Sequence, residues 1–285
     1  METLPELLGS VESMTVSLLI VVPTLNSYVL LPQLVRSLQA QSITDWRLLF
    51  IDGPSLPDHR RWLQECCDTD SRCSWVEQEP ERRGIFGAMS QGFDAAGPED
   101  WLLFWGSDDW AASSTSLASL ISAVNVEGEF PDLVVSGGRY SDAVGELGRR
   151  TVFATSVISQ ANTSLAWRDL NAATFRRCLF FGATPPHQGT LFGPGAVQRI
   201  RSYRKGLRLA ADLDYFLRLS VCDPLRVRVL NLELVHMADA GVSGQQTLLR
   251  LHEVRQCYQR AFGAFWWFPF LFRYIRRLVS RFVKS

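Results

Sequence analysis

This sequence predicts an α/β fold, a doubly wound, mostly parallel sheet flanked by helices. Three apolar runs with strand character end abruptly in turn residues, at Pro23-Thr24-Leu25-Asn26, at Asp52-Gly53-Pro54-Ser55 and at Gly106-Ser107-Asp108-Asp109. Segments with apolar residues at helical spacing lie between them, and strand, helix, strand implies a right-handed parallel crossover. The chain has 285 residues, 47% of them hydrophobic, enough to bury a sizeable core as one large domain with appendages.

The elements follow in order. Residues 16–22 are a continuous, partly β-branched apolar run, as expected of a parallel strand buried on both faces. Leu30, Leu31, Leu34, Val35 and Leu38 recur at helical spacing, and residues 46–51 read as a second strand. A helix is expected over 58–67, a short strand over 73–76, a helix over 85–96 and a strand over 101–105. Residues 117–124 read as a helix and 132–136 as a strand, whereas 137–150 read as turn-rich. A polar stretch of helical character over 164–178 leads to a loop over 184–188, a helix near 196–202 and a stronger helix over 211–221. Residues 227–230 return to the sheet. The expected organisation is an N-terminal extension over 1–15, one α/β domain over 16–253 and a distinct tail over 254–285.

Six cysteines occur without C-x-x-C spacing, and Cys66 and Cys67 are adjacent, so neither a zinc site nor a disulfide framework is indicated. Inert, buried thiols in a reducing cytosol fit best. No segment approaches the roughly 20 apolar residues of a membrane span, and acids precede the first apolar run, unlike a secretory signal. A cytoplasmic protein without a nucleic-acid partner is expected.

Asp108 and Asp109 stand at the carboxyl end of a strand, where an open α/β sheet binds ligand. Hard oxygen ligands suit Mg²⁺ or Mn²⁺, which keeps several waters and takes further oxygens from a phosphate. The pair suggests a metal and diphosphate site, although Asp-Asp after Gly-Ser also suits a turn or a helix N-cap. Residues 23–26, Asp52-Gly53, 79–92 and 106–109 all fall at or near strand carboxyl ends, so the four segments converge.

The order of these segments resembles the inverting family-2 glycosyltransferases with the GT-A fold, in their non-processive bacterial members that assemble surface polysaccharides. The likeness runs from about residue 16 to 221. Its most specific stretch is Glu79-Pro80-Glu81-Arg82-Arg83-Gly84-Ile85-Phe86-Gly87-Ala88-Met89-Ser90-Gln91-Gly92, similar to the subgroup's acidic-Pro, Gly-Ile-Tyr, Ala-Met-Asn, Gly signature. The resemblance implies that Pro23, Thr24 and Asn26 hold the nucleoside, that Asp52 accepts a hydrogen bond from the base, and that Arg83, Gly84 and Met89 belong to the donor site. An Asp at a strand end can accept an imide N–H, and a Pro-containing turn makes a rigid wall. Asn26 and Asp52 equally suit turn-forming Asx chemistry. The resemblance further implies a nucleotide-diphosphate sugar of UDP or GDP type, with Asp108 on the ribose or donor sugar and in the metal site, and Asp109 on a divalent Mn or Mg. Gly106 stands where many relatives carry another Asp, and Gly87 departs in the same way.

Transfer to a hydroxyl needs a base, because the alcohol must lose its proton as the anomeric carbon is attacked. In Leu209-Ala210-Ala211-Asp212-Leu213-Asp214-Tyr215 the resemblance puts Asp212 on the catalytic position, with Asp214 as competing base or acceptor contact. Both also suit first-turn acids favoured by the helix dipole. His187-Gln188 resembles a pair that binds acceptor or orders the loop beside the diphosphate, while a structural histidine is the simpler alternative. His236 is read as structural and not as a metal ligand. The reaction implied is direct displacement with inversion, one sugar per encounter, to a lipid-linked saccharide. A dinucleotide-dependent oxidoreductase would carry Gly-x-Gly-x-x-Gly after the first strand, where Pro and Asn stand instead. A sugar nucleotidyltransferase would show a Gly-rich, Lys-containing phosphate loop there. The non-enzyme alternative is a degenerate binding or scaffolding module, for which Gly87 and Gly106 argue and against which Asp52, Asp108, Asp109 and Asp212 argue.

The tail is a different physical object. From residue 254 to 285 there is no acid, while Arg255, Arg260, Arg273, Arg276, Arg277, Arg281 and Lys284 are basic. Pro269 suits a helix's first position, and Leu271, Tyr274, Ile275, Leu278 and Phe282 then fall on one face. Such a basic amphipathic helix, entered through Phe265-Trp266-Trp267-Phe268, is expected to lie in the interface of an anionic membrane at the inner face of the cell membrane. Packing on the domain, or an oligomer contact, is the alternative.

Overall fold

A computed structural model of the chain describes residues 16–124, 129–142, 145–151, 153, 166–238 and 246–282. The extension expected over 1–15 lies outside the described residues, as do Asp239, Ala240, Gly241, Lys284 and the side chains of residues 277–282.

The first half alternates as the sequence predicts: β1 (Ser17–Thr24), α1 (Leu31–Gln39), β2 (Trp46–Asp52), α2 (Pro57–Thr69), β3 (Cys73–Glu77), α3 (Ile85–Ala95) and β4 (Asp100–Phe104). These strands lie parallel in the order β3-β2-β1-β4. Alternate residues feed opposite layers. Leu19, Val21, Leu102 and Phe104 pack with Met89 and Phe93 of α3, whereas Leu18, Ile20, Leu103 and Trp105 pack with Leu31, Leu34 and Leu38 of α1. Burial on both faces is why these strands read as unbroken apolar runs. With β2 on one side of β1 and β4 on the other, the strand order reverses at β1. The crevice outside the carboxyl ends of β1 and β4 is therefore a topological switch point, where open α/β sheets bind ligands.

The second half comprises β5 (Asp109–Ala111), α4 (Ser116–Ser122), β6 (Leu133–Ser141), β7 (Leu147–Thr151), β8 (Trp167–Asn171), α5 (Ala172–Phe180), β9 (Thr190–Phe192), α6 (Pro194–Arg199), α7 (Ala211–Leu219), β10 (Arg226–Ala238), α8 (Thr247–Phe262) and α9 (Trp267–Phe282). The sheet continues β4-β9-β6-β10-β5, with β7 on β6 and β8 on β10. β9, β7, β8 and β5 run against their neighbours while β6 and β10 share the direction of β1, so among the described residues six of the ten strands point one way.

Two expectations need correction here. Residues 137–150 are not mainly turn, because β6 runs on to Ser141 and β7 returns beside it. The pattern hid them because β7 is exposed and carries Arg149 and Arg150. The stretch expected to be helical over 164–178 opens as strand β8 before α5 begins. Its Trp167 lies under the Arg228 guanidinium, 4.4 Å from the ring centroid, and Asp169 takes the same guanidinium in two bonds of 2.8 Å. Ionic and cation–π contacts leave no apolar alternation to read. Asn171 then caps α5, its Oδ1 accepting the Thr174 N–H at 2.9 Å.

Residue 254 falls inside α8, whose Val254, Cys257 and Tyr258 are buried in the main core. α9 packs back on the same core through Phe270 and Tyr274, together with Trp266 just before it. Among the described residues no helix is long and apolar enough to cross a membrane. All six cysteines are unpaired, and burial pushes the Cys67 and Cys257 thiols up to about 12, so neither is a thiolate near neutrality.

Candidate functional site

The carboxyl ends of β1, β2 and β4 form a shelf whose loops are tied to each other. Thr24 and Asp52 end adjacent strands, and Thr24 Oγ1 donates to Asp52 Oδ1 at 3.0 Å. Ser55 Oγ donates to the same oxygen at 2.6 Å, and His59 Nε2 lies 3.1 Å from it. Arg60 Nε stands 3.4 Å from Oδ2, which has no hydrogen-bond partner among the described residues. The carboxylate is 1% exposed, so Oδ2 is a buried acceptor left over at the end of a strand. Burial lowers the affinity of His59 for a proton against the opposing pull of Asp52.

Asn26 sits at φ 51° in the left-handed region, and its Oδ1 accepts the Leu56 N–H at 2.8 Å while its own N–H donates to Ser55 Oγ at 3.0 Å. Asn tolerates this left-handed backbone, but its side chain ties the loop to one 30 residues on and closes no Asx turn of its own. Ser107 Oγ donates to the Pro23 carbonyl at 3.1 Å and accepts from Ser27 Oγ at 2.8 Å, joining the loop after β4 to the loop after β1.

Beside this shelf runs the segment 79–84. Gln91 of α3 clamps it, Oε1 accepting the Glu79 N–H at 2.9 Å, and Arg82 pairs with Glu79 at 2.8 Å and Asp94 at 2.5 Å. Arg83 is exposed, and Gly84 precedes α3 at φ 80° facing open space. Gly87 has a physical reason: a Cβ there would meet the Arg82 carbonyl oxygen at 2.0 Å, so no side chain fits while this segment folds over α3. Met89, expected at the donor site, is 4% exposed and packs in the core with Ala88 and Phe93, because it lies on the face of α3 turned to the sheet.

Asp108 is half-buried and Asp109 is 2% exposed at the start of β5, opposite Met237 of β10. Asp109 Oδ2 accepts the Gly106 N–H at 2.5 Å. Burial raises the pKa of both carboxyls, and for Asp109 the neighbouring Asp108 adds to the effect; among the described residues no cation offsets either. Gly106 leaves both carboxyls unobstructed on its side, since a Cβ there would lie 2.8 Å from Asp108 Oδ1 and 3.3 Å from Asp109 Oδ2. Two adjacent, uncompensated carboxylates fit a divalent cation. Among the described residues no third His, Cys, Asp or Glu completes a cluster, so further oxygens would come from a diphosphate and water.

The other wall comes from the second half of the chain. Trp105 Nε1 donates to the Gln188 carbonyl at 3.0 Å, sewing the 184–188 loop to the end of β4. His187 is buried with its ring 5.6 Å from that of Phe104 and 6.2 Å from that of Phe86, and its Nε2 is hydrogen-bonded to Tyr203 Oη at 2.6 Å. Burial pulls its pKa down to about 4, so at neutral pH the ring is uncharged. Asp212, half-buried in the first turn of α7, is near enough for its charge to act on both His187 and Tyr203. Asp214, by contrast, is 3% exposed and taken up by Arg204 Nε at 3.0 Å and Arg218 Nε at 2.8 Å. His236 pairs with Glu233 at 3.0 Å and meets Trp110 edge-on.

The fold thus brings Thr24, Asp52 and Ser107 together on the shelf, and His187 and Asp212 together beside the end of β4. Sequence reasoning missed His59, Ser107 and Tyr203, whose partners are 7, 80 and 16 residues away in the chain. No local spacing signals such contacts.

Among known proteins, the family Glycosyl transferase family 2 matches residues 19–185. Curated relatives include the PGL/p-HBAD biosynthesis glycosyltransferases of Mycobacterium bovis (strain BCG / Pasteur 1173P2) and Mycobacterium tuberculosis (strain ATCC 25177 / H37Ra). Each is 26% identical over 202 residues, covering 70% of this chain and 68% of the relative. Similar solved structures include S. aureus TarS 1-349 in complex with UDP-GlcNAc, at TM-score 0.58 and 16% identity over 86% of this chain and 67% of that one. The mannosyltransferase PcManGT from Pyrobaculum calidifontis, in complex with GDP-Man and Mn2+, aligns at TM-score 0.58 and 14% identity over 86% of this chain and 64% of that one.

Proposed function

This chain belongs to glycosyl transferase family 2, and we propose that it moves a single sugar from a nucleotide-diphosphate sugar to an acceptor hydroxyl, with inversion at the anomeric carbon. The observation that carries the reading is the contrast between Asp212 and Asp214. One carboxylate of the α7 first turn is bound by two arginines, and the other is left without an ion pair among the described residues, against His187 beside the end of β4.

In this mechanism the shelf binds the donor. Asp52 Oδ2, which faces Arg60 but accepts no hydrogen bond from the described residues, takes an N–H of the base, and the wall formed by Pro23, Thr24 and Asn26 holds the nucleoside. Arg83, exposed beside Gly84, reaches the diphosphate. Asp108 and Asp109 would hold a divalent metal, which when bound stabilises negative charge on the departing nucleoside diphosphate. Asp212 accepts the proton of the acceptor hydroxyl as it attacks. His187, neutral and packed among aromatic rings, keeps this wall dry and apolar, and Gln188 stands at the same loop as an acceptor contact. The donors in two structural neighbours, UDP-GlcNAc and GDP-Man, are of the two nucleotide types considered.

The acceptor we propose is a lipid-linked saccharide, reached by docking at an anionic membrane on its cytoplasmic face. Trp267, Leu271 and Ile275 recur four residues apart on α9 and are 47%, 50% and 44% exposed, next to Phe265 at 65%. The basic residues of the same segment supply charge complementary to anionic headgroups, at about 1 kcal/mol each near the surface.

Metal use tests the reading. Chelation should abolish sugar transfer, Mn²⁺ or Mg²⁺ should restore it, and Asp109→Ala should lose both donor affinity and turnover. Full activity of Asp109→Ala in excess chelator contradicts the assignment.

A further inference from the structure

Helix α7 delivers Asp212, yet it starts without a cap of its own. Its N-cap is Ala210, with no side-chain hydrogen bond, where Ser, Thr, Asp or Asn would typically supply one. The missing acceptor comes from α8. Glu253, 3% exposed, takes the Arg208 N–H on Oε1 at 2.8 Å, and the Leu209 and Ala210 N–H groups on Oε2 at 2.7 and 2.9 Å. Three consecutive backbone N–H groups closing on one anion form a nest, and such charge-assisted bonds are stronger than neutral ones. One turn further along α8, Cys257 Sγ donates to the Ala210 carbonyl at 3.5 Å. The backbone just before Asp212 is thus held by α8 through both its N–H and its C=O groups.

Burying a carboxylate is costly unless its oxygens are hydrogen-bonded, and Glu253 has no ion pair among the described residues. Its three backbone partners are therefore what keeps it there. A polar residue at 210 would cap α7 locally but would not tie the loop to a second helix. Asp214, locked by Arg204 and Arg218, fixes α7 one turn beyond.

We propose that Glu253 is a positioning residue for sugar transfer: its carboxylate sets the 208–210 backbone so that Asp212 meets the acceptor hydroxyl in one orientation. This rests on the reading of Asp212 as the base. A misplacement of about 1 Å can cost about 10²-fold in rate, so fixing the base's own loop bears on turnover and not on donor binding.

The test combines amide hydrogen exchange on the full chain with kinetics of Glu253→Gln. In the wild type the amides of Arg208, Leu209 and Ala210 should exchange as slowly as those inside α7. Exchange at the rate of an open loop overturns the proposal whether or not the variant folds. In folded Glu253→Gln these amides should exchange faster, kcat for transfer should fall by roughly tenfold or more, and the donor KM should stay within about twofold. An unchanged kcat, or a parallel loss of donor binding, overturns it. Asp212→Asn measured alongside separates the two layers. Wild-type transfer by that variant defeats the reading of Asp212, whereas an inactive Asp212→Asn beside a fully active Glu253→Gln defeats the positioning role alone.

Discussion

Asp212 and Asp214 stand two residues apart on one helix and meet opposite surroundings, and the roles proposed for them rest on that difference. Asp214→Asn removes the partner of two guanidiniums, but Arg204 and Arg218 are 42% and 30% exposed and regain water. Its cost is then about 1–2 kcal/mol, below the roughly 3–5 kcal/mol of breaking a fully buried pair. A lowered melting temperature with catalysis largely retained is the expected outcome; loss of catalysis at unchanged stability would exchange the roles. His187 supplies the pH dependence. Its folded pKa, pulled to about 4 by burial, lies below the ordinary 6.5, so between those values the unfolded chain binds a proton that the native state excludes. Stability from this residue is complete above pH 6.5 and drops by up to about 1.4 kcal/mol per unit as pH falls toward 4. Urea unfolding across that window should show the slope, and His187→Phe, which suits the surrounding rings, should flatten it. Equal slopes in both proteins would place the titrating group elsewhere.

Among the elements, the join of segment 79–84 to α3 and the outward face of α9 make separate predictions. Alanine is favoured over glycine inside a helix by about 1 kcal/mol, yet a Cβ at residue 87 would sit 2.0 Å from the Arg82 carbonyl oxygen. The contact outweighs the propensity, so Gly87→Ala should lower the melting temperature and raise the donor KM by displacing Arg83 and Gly84. A more stable variant with unchanged donor KM contradicts this packing. α9 packs inward through Phe270 and Tyr274 while Trp267, Leu271 and Ile275 face outward, so the sequence's single apolar stripe serves two surfaces. Replacing those three exposed residues by Ser leaves the inward contacts in place. The full chain should float with anionic liposomes and release at high salt, and the triple variant should remain soluble; equal flotation of both removes α9 from the membrane contact. Elements buried on both faces were legible in the sequence, as β1, β2 and β4 were. The three-residue strands Asp109–Ala111 and Thr190–Phe192 are too short to carry a period, and β7 is polar and exposed.

For the whole molecule, the placement of the candidate site residues was legible where a motif ends a strand or opens a helix, as at Asp52, Asp108 and Asp212. It was not where a contact joins residues distant in the chain, as Glu253 does with the loop before Asp212, or where a motif residue faces the core, as Met89 does. These pieces meet only because the sheet places the ends of β1, β2 and β4 beside the 184–188 loop. The central claim is that this assembly is a nucleotide-sugar transferase with Asp212 as its base. Its most direct test is nucleoside diphosphate release from a panel of UDP- and GDP-sugars with Mn²⁺, comparing the wild type with Asp212→Asn. At least one donor should be turned over by the wild type, and the variant should bind that donor normally while its product release falls by roughly 10²-fold or more. Release from no donor, or equal release by the two proteins, would contradict the account.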